Sequence, residues 1–302
     1  MSLKPFRQPW IGRLVYAAFA VLLLVVLLTG RALYHMRLPD TTLTKEQEAL
    51  PYAKYFDREM VAPSAELQAA VAAPIDCKDA LPINDINKLL EPGYQKVETG
   101  YCVFADGGGY ASALVKMPGV SLDMFNWWFI WHPQESLRYK IWDKDEHFGV
   151  WVNDADRRRF NDTALPLANR LWGSTHHVRE NIGIPTPFRF LMGMGGKDPY
   201  AITIRFISPA DCGFDMTKFN PLKETVVCAD SGMRHFVRQT PDGVELRARF
   251  YEGYVRKNGA FVREGGTAPL SIDAGLNRHM LKEFTNLASF LPALYAEQGP
   301  KN

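Results

Sequence analysis

The four cysteines, Cys77, Cys102, Cys212 and Cys228, form no CxxC pair, which excludes a zinc–thiolate site. Long runs of one charge are also missing. Lys and Arg total 35 against 33 Asp and Glu, a net charge of +2, and with no basic stretch the chain offers no footprint for nucleic acid. No internal repeat and no low-complexity tract occurs, which removes repeat architectures. The triple glycine at 107–109 is not a phosphate loop, because no helix opens after it. What is present is an ordinary globular composition of 47% hydrophobic and 23% charged residues over 302 positions, enough for one large domain or two small ones. Three tryptophans fall within residues 127–131, a concentration that points to an aromatic-lined core or pocket.

Residues 14–30 carry no charge and lie between Arg13 and Arg31. As a helix they span about 25 Å, near the short end for crossing a bilayer. Trp10 and Tyr34 are suited to its two interfaces, and Lys4, Arg7 and Arg13 precede it, which keeps the N-terminus in the cytoplasm by the positive-inside rule. The competing reading is a cleaved signal peptide ending near Gly30-Arg31-Ala32. The expected layout is a cytoplasmic tail (1–13), a single transmembrane signal anchor (14–30), a stalk with short helices (31–75) and a main domain (76–298) on the periplasmic or extracytoplasmic side. In an exported chain, four cysteines permit two disulfides. Pairing of sequence neighbours gives Cys77–Cys102 and Cys212–Cys228, although three connectivities are open and four free buried thiols are the alternative. The stalk has a capping box at Thr44–Gln47 and a helix-prone run at 64–73. It can hold the domain off a membrane or meet a partner subunit, which leaves a homodimer open.

Beyond residue 76 the pattern changes. "GYCVFADGGGYASALVKMPG" reads as a hairpin turning at Asp106–Gly109. "SLDMFNWWFIWHP" reads as a helix capped by Ser121 and stopped by Pro133, with Phe125, Trp128, Phe129 and His132 on one face. Antiparallel strands are expected at 138–142 ("RYKIW"), 201–208, 224–230, 233–240 and 244–255, the last two joined by a turn at Pro241-Asp242-Gly243. A long helix closes the chain over 271–298. Strands followed by one long helix suggest α+β architecture, with a curved antiparallel sheet wrapped around that helix.

The closing helix contains "HMLKE", with His279 and Glu283 at i,i+4, which places them on one face with their Cβ atoms roughly 5–6 Å apart. Such pairs arise often as polar pairs on a wet surface. Here Leu276, Met280, Phe284 and Leu287 share the face, so the pair points at the sheet, where buried polar atoms need a partner such as a metal ion. His132 and Glu180 are candidates for the other half. The plain alternatives are a core histidine bonded to a backbone carbonyl for His132 and a surface ion pair with Arg179 for Glu180.

The blocks "VETGYC" (97–102), "MPG" (117–119), "MFNWWFIWHPQESLRYKIW" (124–142), "HVRENIG" (177–183), "HFVRQTPDGVELRARFYEG" (235–253) and "RHMLKEFTNLASFLPALY" (278–295) resemble the 2,4-diacetylphloroglucinol hydrolase family, which includes phloretin hydrolase. The resemblance covers roughly residues 80–296. It implies a helix-grip (Bet v1-like) fold and one Zn²⁺ ion held by His132, Glu180, His279 and Glu283. Such ligands also suit Mn²⁺, Co²⁺ or Fe²⁺. It further implies hydrolysis of the carbon–carbon bond between an acyl group and a phenolic ring, with a small aromatic ketone as substrate and metal-activated water as the nucleophile source. The span of resemblance supplies His235 and His147 as candidate proton donors, and Tyr139, Tyr251 and Trp128 as candidate substrate contacts. Met124 and Glu135 stand where the family would place Tyr and Asn on the phenol. A non-catalytic helix-grip protein that binds an apolar ligand and keeps a structural metal is the alternative.

Overall fold

The computed structural model describes residues 9–35, 38–183 and 198–301. They fall into two units, each considered by itself: helix α1 (Pro9–His35) belongs to the first, and residues 40–183 with 200–301 form the second. The described side chains of α1 are all exposed. Among the described residues, no helix is long and apolar enough to cross a membrane. The uncharged run between Arg13 and Arg31 spans about 25 Å against a hydrocarbon core of about 30 Å, and this shortfall corrects the expected single-pass membrane placement.

The second unit is α+β. Ten strands are described: β1 (Gly100–Val103), β2 (Gly109–Pro118), β3 (His147–Trp151), β4 (Thr175–Glu180), β5 (Ala201–Ile207), β6 (Glu224–Ala229), β7 (Met233–Thr240), β8 (Gly243–Glu252), β9 (Tyr254–Lys257) and β10 (Ala260–Arg263). Eight form one antiparallel sheet in the order β1-β2-β8-β7-β6-β5-β4-β3, and β9 pairs with β10 separately. The helices are α2 (Lys45–Glu48), α3 (Ala65–Ala70), α4 (Leu122–Trp131), α5 (Ser136–Lys140), α6 (Asp154–Phe160) and α7 (Leu270–Gln298). Helix α7 lies along β1 and β2, and α4 packs against β6, β7 and α7. Strand alternation splits the interior in two. His235, Ala248 and Phe250 share one face with α4 and α7, as the contacts of His235 with Phe250 and Phe284 show. Phe236 and Tyr251 turn to the other face, into a core with Leu81, Ile83, Ile86 and Leu89. Cys102, Cys212 and Cys228 belong to that second core, where the Cys77–Cys102 and Cys212–Cys228 disulfides form.

Several elements differ from the sequence reading. The strand expected over 244–255 ends at Glu252, and β9 begins at Tyr254 in the separate two-stranded sheet. "RYKIW" is not extended: Arg138–Lys140 end helix α5 and Ile141–Trp142 turn away from it, and Glu135 caps that helix, its carboxylate accepting from the backbone N–H of Leu137 (2.9 Å) and Arg138 (3.3 Å). Helix α4 is buried all round from Phe125 to Trp131, not along one stripe. Residues 40–75 supply the extra cover, so they are part of this unit rather than a stalk standing off it. Tyr52 meets Trp131 edge-on at 5.1 Å, Tyr55 lies 5.7 Å from Phe290, and the Arg58 guanidinium sits 4.8 Å over Phe290.

Near the start of α7, Asp273 is fully buried and neither carboxylate oxygen has a hydrogen-bond partner among the described residues. It fits only because its neighbour is glycine: a Cβ on Gly109 would stand 2.5 Å from Asp273 Oδ1. Gly109 pairs across the sheet with Glu252. Burial, and then the Glu252 carboxylate, push the Asp273 pKa up to about 9, while burial raises Glu252 to about 7. Below about pH 4 the folded and unfolded chains both keep the Asp273 proton. Between there and about pH 9 only the folded chain keeps it, so this group removes stability as pH rises across that window. Asp273→Asn, which mimics the protonated form, is expected to stabilise the fold increasingly from pH 5 to pH 8, by about 1–3 kcal/mol at the upper end. Urea unfolding at both pH values measures this, and an equal effect at both would refute it.

Candidate metal centre

Two local geometries converge on one point beneath α7. The first is helical: His279 and Glu283 stand one turn apart on the buried side of α7. The second is a strand pair, because His147 on β3 lies directly opposite Glu180 on β4. The register shifts just after His147, between His147 and Gly149, as a bulge does where a strand end must aim a side chain. Two glycines let the helix approach this strand end. A Cβ on Gly275 would stand 2.8 Å from the Ile182 carbonyl oxygen, and Gly183 has φ +72°.

The four polar ends meet closely. His147 Nε2 lies 3.4 Å from His279 Nε2 and 3.5 Å from both Glu180 Oε2 and Glu283 Oε2. His279 Nε2 lies 3.7 Å from each of those carboxylate oxygens. Donors arranged about 2.0–2.2 Å from one ion are about 3.3–3.6 Å apart, close to the spacing of each carboxylate oxygen from the two imidazoles. His147, His279 and Glu283 form a buried cluster able to hold a metal ion. Both imidazoles are fixed from behind, leaving Nε2 toward the centre. His147 Nδ1–H donates to the Tyr139 carbonyl at 3.2 Å, and His279 Nδ1–H donates to Glu146 Oε2 at 2.9 Å. The Tyr139 hydroxyl donates to Glu180 Oε2, and its ring stacks on His147 with centroids 4.0 Å apart. Trp142 Nε1–H donates to the Glu283 carbonyl at 2.9 Å.

The electrostatics match a centre built for a cation. Burial opposes the charge on Glu180, yet His279, His147 and the Tyr139 hydroxyl together bring its pKa down to about 2. Glu283 goes the other way. Burial raises its pKa well above the carboxylate range, and the neighbouring Glu180, Asp143 and Glu146 add to the rise. His279 is pushed up despite burial, by Glu283, Glu146 and Glu180. His147 falls to about 3, through burial first. Tyr139 is raised well above 10 by burial and the Glu180 charge, so it remains a neutral donor at neutral pH. A cation among these donors would satisfy two carboxylates that otherwise share the charge of one imidazolium.

The structure brings Glu180, His279 and Glu283 together, and places His147 with them in the position that sequence reasoning gave to His132. His132 is buried one layer away. Its Nδ1–H donates to the Trp128 carbonyl at 2.8 Å, its ring stacks on Tyr139, and burial takes its pKa to about 3. Trp128 is fully buried beside it, 5.1 Å between centroids, within a group that includes Trp142 and Phe290. His235 is buried on the α7 side of β7, its Nδ1 without a hydrogen-bond partner among the described residues, and burial lowers its pKa to about 3. Tyr251 lies on the opposite face of the sheet, where its hydroxyl donates to the Leu81 carbonyl at 3.0 Å. Glu135 is occupied as the α5 cap and also accepts from Tyr52, and Met124 is half-buried in the first turn of α4. Sequence reasoning missed Glu146, whose signal is its place next to His147 in "DKDEH".

Comparison with known proteins places these residues in a wider group. A family model described as DAPG hydrolase, PhiG domain, matches residues 81–296. Phloretin hydrolase of Eubacterium ramulus is 32% identical over 268 residues, covering 84% of this chain and 92% of that protein. The 2,4-diacetylphloroglucinol hydrolase of Pseudomonas protegens is 31% identical over 275 residues, covering 82% of this chain and 85% of its own length. A second protein of that name, from Pseudomonas sp, is also 31% identical over 275 residues.

Proposed function

We propose, since the chain belongs to the DAPG hydrolase family, that it is a metal-dependent hydrolase of acylated phenols, with His147, Glu180, His279 and Glu283 as the metal-holding residues. The carrying observation is the convergence under α7 of two imidazole nitrogens, 3.4 Å apart, with two carboxylate oxygens that each lie 3.5 Å from His147 and 3.7 Å from His279. We read the sheet and its long helix as a helix-grip fold, and assign Zn²⁺ as the ion because neutral imidazoles and carboxylates suit it.

The reaction adds water across a carbon–carbon bond. The acyl carbon gains oxygen and leaves as a carboxylic acid, and the ring carbon that carried it gains a proton. When bound, a divalent ion supplies Lewis acidity and lowers the pKa of water. The chain's own residues do the rest. Tyr139, held neutral, keeps the Glu180 carboxylate turned inward through its hydroxyl. His235, an uncharged ring in an apolar layer of Phe129, Phe250 and Phe284, is the candidate that delivers the proton to the ring carbon. The aromatic layer around Trp128 and Trp142 is buried and keeps water out, and we place the phenolic ring of the substrate against it. Electrons of the broken bond pass into the ring and end on a phenolic oxygen.

One observation favours a second reading. Four protein side chains surround the centre, the number that fills a structural site, whereas catalytic zinc keeps a position open. In that reading the protein binds an apolar ligand without turning it over. One experiment separates the two: metal per chain by elemental analysis, together with a hydrolysis screen over acylphloroglucinols and dihydrochalcones. We expect about one zinc and release of free carboxylic acid. Tight zinc without turnover on any phenolic ketone would support the binding protein.

A further inference from the structure

The segment "DKDEH", residues 143–147, serves the centre twice. His147 supplies a donor atom, and Glu146, the residue before it, reaches the far nitrogen of a different donor, His279. The turn that makes this possible is tightly tied. The Asp143 carbonyl accepts from His147 N–H at 2.8 Å, and Asp143 Oδ1 accepts from the N–H groups of Asp145 and Glu146 at 3.1 Å each. The Glu146 carbonyl accepts from Asn181 N–H at 2.8 Å, which ties the turn to the residue after Glu180. Lys282, one turn beyond His279 on α7, then closes the group. Its ammonium lies 2.9 Å from Asp143, 3.1 Å from Asp145 and 3.6 Å from Glu146.

Resting on the metal reading above, we infer that Glu146 is a positioning residue for the metal centre, with Asp143 and Lys282 holding it in place. The geometry gives the reason. An imidazole on a helix can rotate about its side-chain bonds and can carry its proton on either nitrogen. With Glu146 accepting from Nδ1–H, the ring is fixed and Nε2 is left as a lone pair beside His147, Glu180 and Glu283. The carboxylate also makes the imidazole a stronger donor to a cation. Lys282 neutralises the turn, so that Glu146 and Asp143 stay put instead of repelling one another. The one helical stretch 279–283 therefore carries two donors and the lysine clamp, and the one turn 143–147 carries a donor and the carboxylate that orients another.

The test compares Glu146→Ala, Glu146→Gln and Lys282→Met in the full chain, with zinc affinity read by chelator competition and cobalt loading read by its visible absorption. Glu146→Ala is expected to lose about 10–100-fold in zinc affinity and to change the cobalt spectrum as the His279 ring tilts. Glu146→Gln is expected to recover most of both, because its amide oxygen can still accept from Nδ1–H. Lys282→Met should fall between them. The melting temperature of each metal-free variant separates folding loss from loss of orientation. Wild-type zinc affinity and cobalt spectrum in Glu146→Ala would overturn the assignment, as would an equal loss in the Gln and Ala variants. The metal centre itself has a separate failure, in which the wild-type chain binds no zinc or His279→Ala binds it as tightly as wild type.

Discussion

His147→Ala will lose most of its bound metal and, with it, turnover by about 10³-fold or more, whereas His132→Gln will keep its metal. The two histidines look alike by burial, and burial takes both to a pKa of about 3, but their outward nitrogens face different groups. Behind His147, the Tyr139 carbonyl takes the Nδ1 proton and leaves Nε2 between three other donors. Behind His132, the Trp128 carbonyl takes the Nδ1 proton, and the ring leans on Tyr139 and His176. Removing one of four donors leaves the site short of a ligand and leaves two buried carboxylates with less compensating charge. The activity loss follows from the several kcal/mol that a Lewis acid contributes to such a transition state. His279→Ala and Glu283→Gln should match His147→Ala, and Glu135→Gln, whose carboxylate serves the α5 cap and Tyr52, should keep its metal. The readout is metal per chain after dialysis, with circular dichroism to confirm folding. A full equivalent of metal in folded His147→Ala would sink the assignment.

The half of the centre that sequence could disclose is the half fixed by local geometry. The i,i+4 spacing of His279 and Glu283 depends only on helix pitch, and their apolar neighbours Leu276, Met280 and Phe284 show which way the face turns. His147 and Glu180 become neighbours through strand register, with a bulge at the meeting point, and nothing within either stretch encodes that distance. His132 ends an aromatic stripe, and the family resemblance gives it the ligand's place. But a helix made of Phe, Trp and Ile on every side has no single face, and its last histidine is satisfied by its own helix, four residues back. "RYKIW" shows the same limit from another side. Its alternation suits a strand, yet Arg138–Lys140 end a helix that the Glu135 carboxylate caps. The strands β5 to β8, long and rich in β-branched and aromatic residues, were legible throughout.

His235→Gln is expected to keep a full complement of metal and to lose about 10²–10⁴-fold in kcat on an acylphenol substrate, the range for removing a positioned proton donor. Its surroundings set the ring apart from His132 and His147. Among the described residues no carboxylate accompanies it and its Nδ1 has no hydrogen-bond partner; Phe129, Phe250 and Phe284 are ring neighbours. A buried polar nitrogen left without a partner costs free energy in the resting fold, and a phenolic ligand that bonds to it would recover that cost. Burial alone lowers its pKa to about 3, so the ring is neutral across the physiological range and gives the rate no limb near pH 6.5. A neutral imidazole can still lend an N–H proton to the ring carbon as a phenolic oxygen pushes electrons into the ring, and it regains a proton from the attacking water, so that the electrons of the broken bond return to that oxygen. Substrate affinity, measured by equilibrium binding, should fall far less than kcat, because the proton moves only in the transition state. Two results would remove His235 from this role. One is an unchanged kcat. The other is a loss confined to KM, which would leave the ring as a contact for a phenolic oxygen and move the proton donor to another residue.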